Sequence, residues 1–308
     1  MTDTPPPDRP ALVVGEALVD VVHRDGADPV EHPGGSAANV AVALARLGRP
    51  TAFATAWADD ARGRVLAAHV GRDGVVLAGD PAVLDRTSTA VATIGAGGAA
   101  TYAFDLDWRL GPVPELDPRV VHACSIGAVL DPGRADVLAV LGRERGRATT
   151  TYDVNVRASI TGLGDDLRAR VADVVALADL VKASDEDLEQ LRPDLGVDDA
   201  ARALLADGPI AVVVTRGGDG ASVFTARGRV DVAAPRVEVA DTIGAGDTLM
   251  AGLLDALWER DLLGADRREA LAALGDDAWA EVLGHAVRAA AVTVSRPGAD
   301  PPRRDELA

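Results

Sequence analysis

Asp241-Thr242-Ile243-Gly244-Ala245-Gly246-Asp247-Thr248 joins a glycine turn, a helix start and an unpaired acid in one short stretch. Before it, Arg236-Val237-Glu238-Val239-Ala240 alternates in the manner of a strand, and after it the run from Leu249 to Leu257 reads as an apolar helix. Gly244 and Gly246 let the backbone approach a ligand in dihedrals that a β-carbon forbids. Amides at the start of the following helix then point at an anion, aided by the helix dipole. Asp247 lies inside that turn, where a carboxylate can serve as a base toward a hydroxyl. A glycine turn with an N-capping acid is a common structural device. Two glycines flanked by two acids between a strand and an apolar helix favour an anion site.

The same alternation of strand and helix extends outward. Apolar, β-branched runs predict strands at 11–15, 51–55, 120–127, 149–153, 180–182 and 210–215, and amphipathic stretches predict helices at 63–71, 132–145, 165–178 and 197–206. This spacing indicates a mostly parallel sheet covered on both faces by helices. Residues 18–33 and 87–110 break the pattern, with alternating stretches such as Ser88-Thr89-Ala90-Val91-Ala92-Thr93-Ile94. They read as strand pairs that leave the main sheet and meet as a small second sheet, able to close a site against water. Two edge hairpins without function account for the same pattern. The expected division is an α/β core over 1–17, 34–86 and 111–308, with a β-sheet lid over 18–33 and 87–110.

Composition restricts the partners. The chain has 308 residues, 48% hydrophobic and only 3% aromatic, enough for a large aliphatic core. Lys+Arg of 31 against Asp+Glu of 48 leaves a net charge of −17, so no nucleic-acid or membrane partner is expected and an anionic ligand must be held locally. Lys182 is the only lysine, which excludes a GxxxxGKS/T loop, and no GxGxxG opens a βα unit. Cys124 is the only cysteine, and no Cys/His group has zinc-like spacing. The N-terminus is polar and proline-rich without a signal-peptide core, and no apolar run is long enough to span a bilayer, so cytoplasm is the expected location.

Four further patches carry candidate chemistry. Gly34-Gly35-Ser36-Ala37-Ala38-Asn39 is a second glycine turn at a strand-to-helix junction, where Asn39 can bond a polyol and the small residues equally allow tight packing. Thr215-Arg216-Gly217-Gly218-Asp219-Gly220 follows a buried strand, and reads as a hairpin turn or as a phosphate cradle using Thr215. Asp153-Val154-Asn155-Val156-Arg157 sits at a strand's C-terminal end, where open α/β sheets hold ligands. Lys182-Ala183-Ser184-Asp185-Glu186-Asp187 occupies the same position one strand later; its acids could gather near magnesium, or could simply follow the N-cap Ser184.

Taken together, these stretches resemble the ribokinase, or PfkB, family of carbohydrate kinases over nearly the whole chain. Residues 34–48 resemble the family's N-terminal signature and 241–247 its highly specific C-terminal one. Val13-Val14-Gly15-Glu16-Ala17-Leu18-Val19-Asp20, the Asp153 and Lys182 stretches, and the tail Ser295-Arg296-Pro297-Gly298-Ala299-Asp300-Pro301-Pro302 are similar to the fructokinase branch. The resemblance implies a ribokinase-like three-layer α/β/α sandwich with a small β-sheet lid, and an ATP- and Mg2+-dependent sugar kinase. Asp247 would be the base, with the backbone of Gly244, Ala245, Gly246 and Asp247 as anion hole. Asp20, Gly34, Gly35, Asn39, Tyr102 and Arg157 would face the sugar. Lys182, Ser184, Thr215, Gly217 and Gly220 would face the nucleotide. Asp187 and Glu186 would serve Mg2+ through water, with the short Asp187 departing from the family's glutamate. Asp241, with the backbone near Ser295, matches the site at which some members bind a monovalent cation such as K+. In some members the lid also makes a homodimer contact.

Tyr102, Phe104 and Trp108 would pack on the sugar or form the lid core, and Asp105 would repel a substrate carboxylate, favouring a neutral sugar. A fructokinase-like enzyme is the expectation. Kinases of ribose, of 2-keto-3-deoxygluconate or of a nucleoside, and a silent sugar-binding homologue, are the alternatives.

Overall fold

In the run Ala11–Val14 every residue is buried, and successive side chains enter opposite cores: Ala11 and Val13 join one cluster, Leu12 and Val14 the other. A strand apolar on both faces must be covered on both faces, and that dictates three layers. The computed structural model describes residues 9–24, 28–94 and 100–307. Residues 1–8 of the proline-rich N-terminus, and 25–27 and 95–99 of the two lid segments, lie outside these.

The strands are β1 (Ala11–Val14), β2 (Leu18–Arg24), β3 (Val30–Gly34), β4 (Thr51–Ala54), β5 (Val76–Leu77), β6 (Thr89–Ile94), β7 (Ala100–Asp105), β8 (Val120–Cys124), β9 (Thr149–Asp153), β10 (Leu180–Ser184), β11 (Ala211–Thr215), β12 (Ala221–Thr225) and β13 (Gly228–Val232). Nine of them form the main sheet in the order β13-β12-β11-β10-β9-β8-β1-β4-β5. Pairing is parallel from β5 to β11, and β12 and β13 continue it antiparallel. The C-terminal ends of β1, β8, β9, β10 and β11 therefore open on one side, where an α/β sheet holds its ligands.

The second sheet has the order β3-β2-β6-β7. Its centre is the parallel pair β2–β6, with Val19 opposite Thr89, so the two segments that broke the helical alternation meet as expected. On one face of the main sheet, helices Ser36–Arg46, Ala245–Glu259 and Asp276–Val294 cover the core. The last two pack at Gly252, where an added Cβ would lie 2.9 Å from the Ala286 Cα.

Three sequence readings change. Residues 236–240 form no strand: the segment is extended and mostly exposed, and instead of pairing with a strand it sends the Ala240 and Asp241 amides to the Val294 carbonyl. The alternation there reflects solvent exposure, not a sheet. The Gly34–Asn39 stretch, read as a turn, is already helical from Ser36, and Gly35, at φ 107, takes the turn alone. The strand expected over 120–127 ends at Cys124 and becomes a short 3-10 turn.

Candidate active site

Helix Ala245–Glu259 starts from Gly244 in the left-handed region at φ 75. An added Cβ there would also meet Ala299 of the C-terminal tail at 2.7 Å, so only glycine fits the turn. Asp241 fastens the same turn to the tail: its carboxylate accepts the amides of Ile243 at 3.0 Å and Gly298 at 2.9 Å. Those bonds hold its pKa below the usual carboxylate value. Asp241 lies on the wall of neither main cavity. The Ala245 amide donates back to Thr242, whereas those of Gly246 and Asp247 fall in the first helical turn, which has no intrahelical acceptor.

Asp247 is buried, at 7% exposure, yet it lines a large cavity. Ser36 Oγ donates to its Oδ1 at 2.6 Å and Asn39 Nδ2 to its Oδ2 at 2.8 Å. Asn155 Nδ2 in turn donates to Ser36 Oγ at 3.1 Å. Two segments that are remote from Asp247 in sequence thus lock the carboxylate in one orientation. Ser36 and Asn155 were inside quoted motifs without an assigned role. Asn155 and Ser125 carry a further mark of the site: both are non-glycine residues at positive φ, 40 and 51.

The cavity, about 690 Å³, is lined by most of the expected sugar-facing residues: Asp20, Gly35, Asn39, Tyr102 and Arg157. Gly34 is not among them; it ends β3 opposite Leu18, directly behind the Asp20 side chain. Arg157 is exposed, bonds the adjacent Val156 carbonyl and has no carboxylate partner among the described residues, leaving its guanidinium available. Asp20 opens to solvent at the cavity mouth, but the surrounding wall raises its carboxyl pKa while His32 and Arg157 pull it down. Tyr102 and Phe104 stack with ring centroids 6.2 Å apart on the wall. Trp108 is elsewhere: it is buried beside Gly133 and donates its indole N–H to the Gly127 carbonyl. Asp105 is also off this wall and is paired with Arg86, so it exerts no repulsion on a cavity ligand.

Glu16 was quoted in a motif but given no role. It is 5% exposed, lines the cavity and accepts the Gly127 amide at 2.9 Å. Burial, reinforced by the charge of Asp247, raises its pKa to about 7 against the pull of the backbone amides and Arg157.

On the neighbouring strand end, Ser184 and Asp187 form a reciprocal capping box for helix Asp185–Leu191. The Asp187 carboxylate accepts the Ser184 amide at 2.8 Å and the Val156 amide at 2.7 Å, so both its oxygens are already engaged. Glu186 is exposed on the cavity wall, and its carboxylate has no partner among the described residues. No group of three or more His, Cys, Asp or Glu side chains among the described residues could hold a metal by itself. Lys182 is buried and bonds both oxygens of Asp153, at 2.8 and 2.9 Å.

A second cavity of about 560 Å³ adjoins the first through Thr215, Gly217, Thr242 and Gly246. Its remaining wall is mainly apolar, with Ala245, Leu249, Val287, Ala290, Val294 and the irregular segment around Val237 and Val239. Gly220 lies here, and β11–β12 is the hairpin that its glycines suggested. A polar cavity and an apolar one thus meet at the helix start beside a fixed carboxylate. This arrangement suits transfer of a charged group between two bound molecules.

Residues 10–306 match the family described as pfkB family carbohydrate kinase. A fructokinase of Rhizobium leguminosarum bv. trifolii is 36% identical over 266 residues, covering 82% of this chain and 81% of that protein. An aminoimidazole riboside kinase of Salmonella typhimurium is 32% identical, covering 82% and 83%. Among solved structures, a fructokinase double mutant of Vibrio cholerae O395, in fructose, ADP and potassium ion bound form, aligns with a TM-score of 0.80 at 27% identity and 97% coverage of both chains. The aminoimidazole riboside kinase of Salmonella enterica, complexed with aminoimidazole riboside and an ATP analog, aligns at 0.77 and 30% identity, covering 97% and 98%.

The chain belongs to the pfkB family of carbohydrate kinases, and it is a sugar kinase with the ribokinase fold. No helix among the described residues is long and apolar enough to cross a membrane.

Proposed function

We propose that the chain transfers the γ-phosphoryl group of ATP to a hydroxyl of fructose, with Asp247 as the general base. The reading is carried by the buried Asp247 carboxylate, held by Ser36 and Asn39 at the junction of a polar and an apolar cavity. The sugar occupies the polar cavity against Asp20, Gly35, Asn39, Tyr102 and Arg157. The adenine occupies the apolar cavity, and the phosphates run past Thr215, Gly217 and the Lys182–Ser184 strand end toward Gly246. Asp247 takes the hydroxyl proton as the oxygen attacks; the O–P bond forms, the bond to the β-phosphate oxygen breaks, and ADP leaves. Charge on the transferring oxygens is met by the free amides of Gly246 and Asp247.

The donor set bears on the metal. Asp187 is occupied by two backbone amides, so Glu186 is the carboxylate fitted to reach Mg2+ through a water molecule. The ion would neutralise phosphate charge there. The β2–β3–β6–β7 sheet serves as the lid, with Tyr102 and Phe104 over the sugar. The need for ATP and Mg2+ is consistent with a cytoplasmic location.

A second reading, a riboside with an attached ring, has one observation in its favour. A further cavity of about 390 Å³ shares Phe104, Ser159 and Ile160 with the sugar cavity and leaves room for a substituent. Coupled-enzyme assays with ATP, Mg2+ and a panel of fructose, ribose, 2-keto-3-deoxygluconate and aminoimidazole riboside separate the two readings. In Asp247→Asn, kcat falls by about 10²–10⁴-fold while ATP binding persists. A near-normal rate in that variant removes Asp247 as base.

A further inference from the structure

The transfer turn has a back as well as a face. Its face is the start of helix Ala245–Glu259, where the Gly246 and Asp247 amides lack an intrahelical acceptor. Its back is the C-terminal tail. The Ala299 Cβ lies 2.7 Å from where a side chain on Gly244 would begin, so its methyl group fills that space. The neighbouring Gly298 amide donates to Asp241 at 2.9 Å. Residues 298 and 299 are thus the surface against which the turn is seated.

That seat has its own support. The Asp300 amide folds back onto the Gly298 carbonyl at 2.9 Å, and Pro301 and Pro302 are buried. Arg46 grips the residues between: its Nη1 donates to the Asp300 carboxylate and, at 2.8 Å, to the Pro301 carbonyl. Its Nε donates to Asp73 at 3.1 Å, and the other Asp73 oxygen accepts Arg303 of the tail at 2.7 Å. The planar fork of a guanidinium suits this double duty, with one edge toward Asp73 and the other toward the tail. The grip is sheltered, with 15% of the Arg46 side chain exposed and 2% of that of Asp73. Among the described residues, Asp241 and Arg46 are the only ones outside the tail whose side chains bond to 298–301.

The place of Arg46 in the fold gives this grip a consequence. Arg46 ends helix Ser36–Arg46, and the first and fourth residues of that helix, Ser36 and Asn39, hold the two oxygens of Asp247. About 15 Å of helix separates the two ends. One buried helix therefore fixes the carboxylate at its start and, through the tail, backs the amides of the turn at its end.

We propose that Arg46 is a positioning residue for phosphoryl transfer: by holding Asp300 and the Pro301 carbonyl it keeps Gly298 and Ala299 against the Gly244 turn, and so keeps the Gly246 and Asp247 amides in register with the Asp247 carboxylate. Arg46 lies on the wall of neither main cavity, so it acts through the tail alone. This deepens the reading of the turn as an anion hole and rests on it.

The test compares Arg46→Met, Asp300→Ala and their double variant with wild type and with Gly252→Ala, which strains the same helix away from the turn. Turnover is measured with ATP, Mg2+ and whichever sugar of the panel wild type phosphorylates fastest, and hydrogen exchange is followed across 241–248. Arg46→Met should lower kcat at least about tenfold with both KM values within about twofold, because the amides meet charge that develops only in the transition state. Asp300→Ala should lower kcat at least about threefold, and the double variant should fall within about twofold of Arg46→Met, as expected of two groups acting through one contact. Exchange across 241–248 should rise at least about tenfold in Arg46→Met while β1 and β8 stay as protected as in wild type. Gly252→Ala should keep wild-type kcat and wild-type exchange at the turn.

Wild-type kcat or unchanged exchange at the turn in Arg46→Met would overturn the proposal. So would an equal loss of kcat in Gly252→Ala, which would make the effect one of general stability. If Arg46→Met does not fold, Asp300→Ala decides, since its carboxylate is half-exposed, and wild-type kcat in that variant overturns the proposal. Asp247→Asn, measured alongside, separates this inference from the reading beneath it. Retained turnover there removes the base, while the exchange at the turn still reports on Arg46.

Discussion

Glu16→Gln gives a direct physical test of the site, because its magnitude follows from one buried carboxyl. In the folded chain the pKa of Glu16 is raised from 4.5 to about 7, first by burial and then by the negative charge of Asp247. Above pH 4.5 the unfolded chain loses a proton that the folded chain keeps until about pH 7. Stability due to this group is therefore fully present below the unfolded pKa and is lost as pH rises through the folded one. The full shift corresponds to about 3 kcal/mol, of which about 2–3 kcal/mol falls between pH 5 and pH 8. Glutamine has nearly the same shape and stays neutral throughout. Titrating groups that do not interact with Glu16 are shared by the two proteins and cancel in the difference. Urea unfolding of both at pH 5, 6, 7 and 8 should show the variant gaining on wild type by that amount as pH rises. A difference that stays level with pH would refute the raised pKa of Glu16.

Two further outcomes concern the scaffold. Gly252→Ala forces a Cβ to within 2.9 Å of the Ala286 Cα, so urea unfolding should show a loss of about 1–3 kcal/mol with kcat unchanged. Asp255 is fully buried and bonded to Arg49, Arg304 and His285. Burial would raise its pKa, but these partners hold it below the ordinary carboxylate value, so its stabilisation is present above the unfolded pKa and lost as pH falls. Asp255→Asn should cost about 3–5 kcal/mol at pH 7, with the gap to wild type narrowing toward pH 3.

What could be read locally was read well. Thr149–Asp153 is a strand because β-branched residues precede a strand-end loop, and Val197–Ala206 is a helix because its apolar residues recur at helical spacing. The 241–247 turn declares itself through two glycines and two acids within a few residues. Residues 236–240 misled because an exposed extended segment and a half-buried strand share the same alternation, and only a hydrogen-bonded neighbour distinguishes them. For Trp108 the sequence left sugar contact and core packing open, because an aromatic in a lid segment serves either, and its Gly127 partner is invisible in local sequence.

By itself the sequence determined the alternation of strands and helices, the two glycine turns, the family and the acid poised at a helix start. These are properties of period and of backbone dihedrals, set within a dozen neighbouring residues. The tertiary structure alone decided which groups act on that acid. Ser36 reaches Asp247 across 211 positions of chain, Asn39 across 208, and Lys182 of strand β10 lies beside Gly246 of the helix Ala245–Glu259. Such contacts arise from sheet order and from the closing of two cores over nine strands, which no local pattern encodes. The same closure took Gly34 off the cavity wall, engaged Asp187 with backbone amides and left Glu186 free.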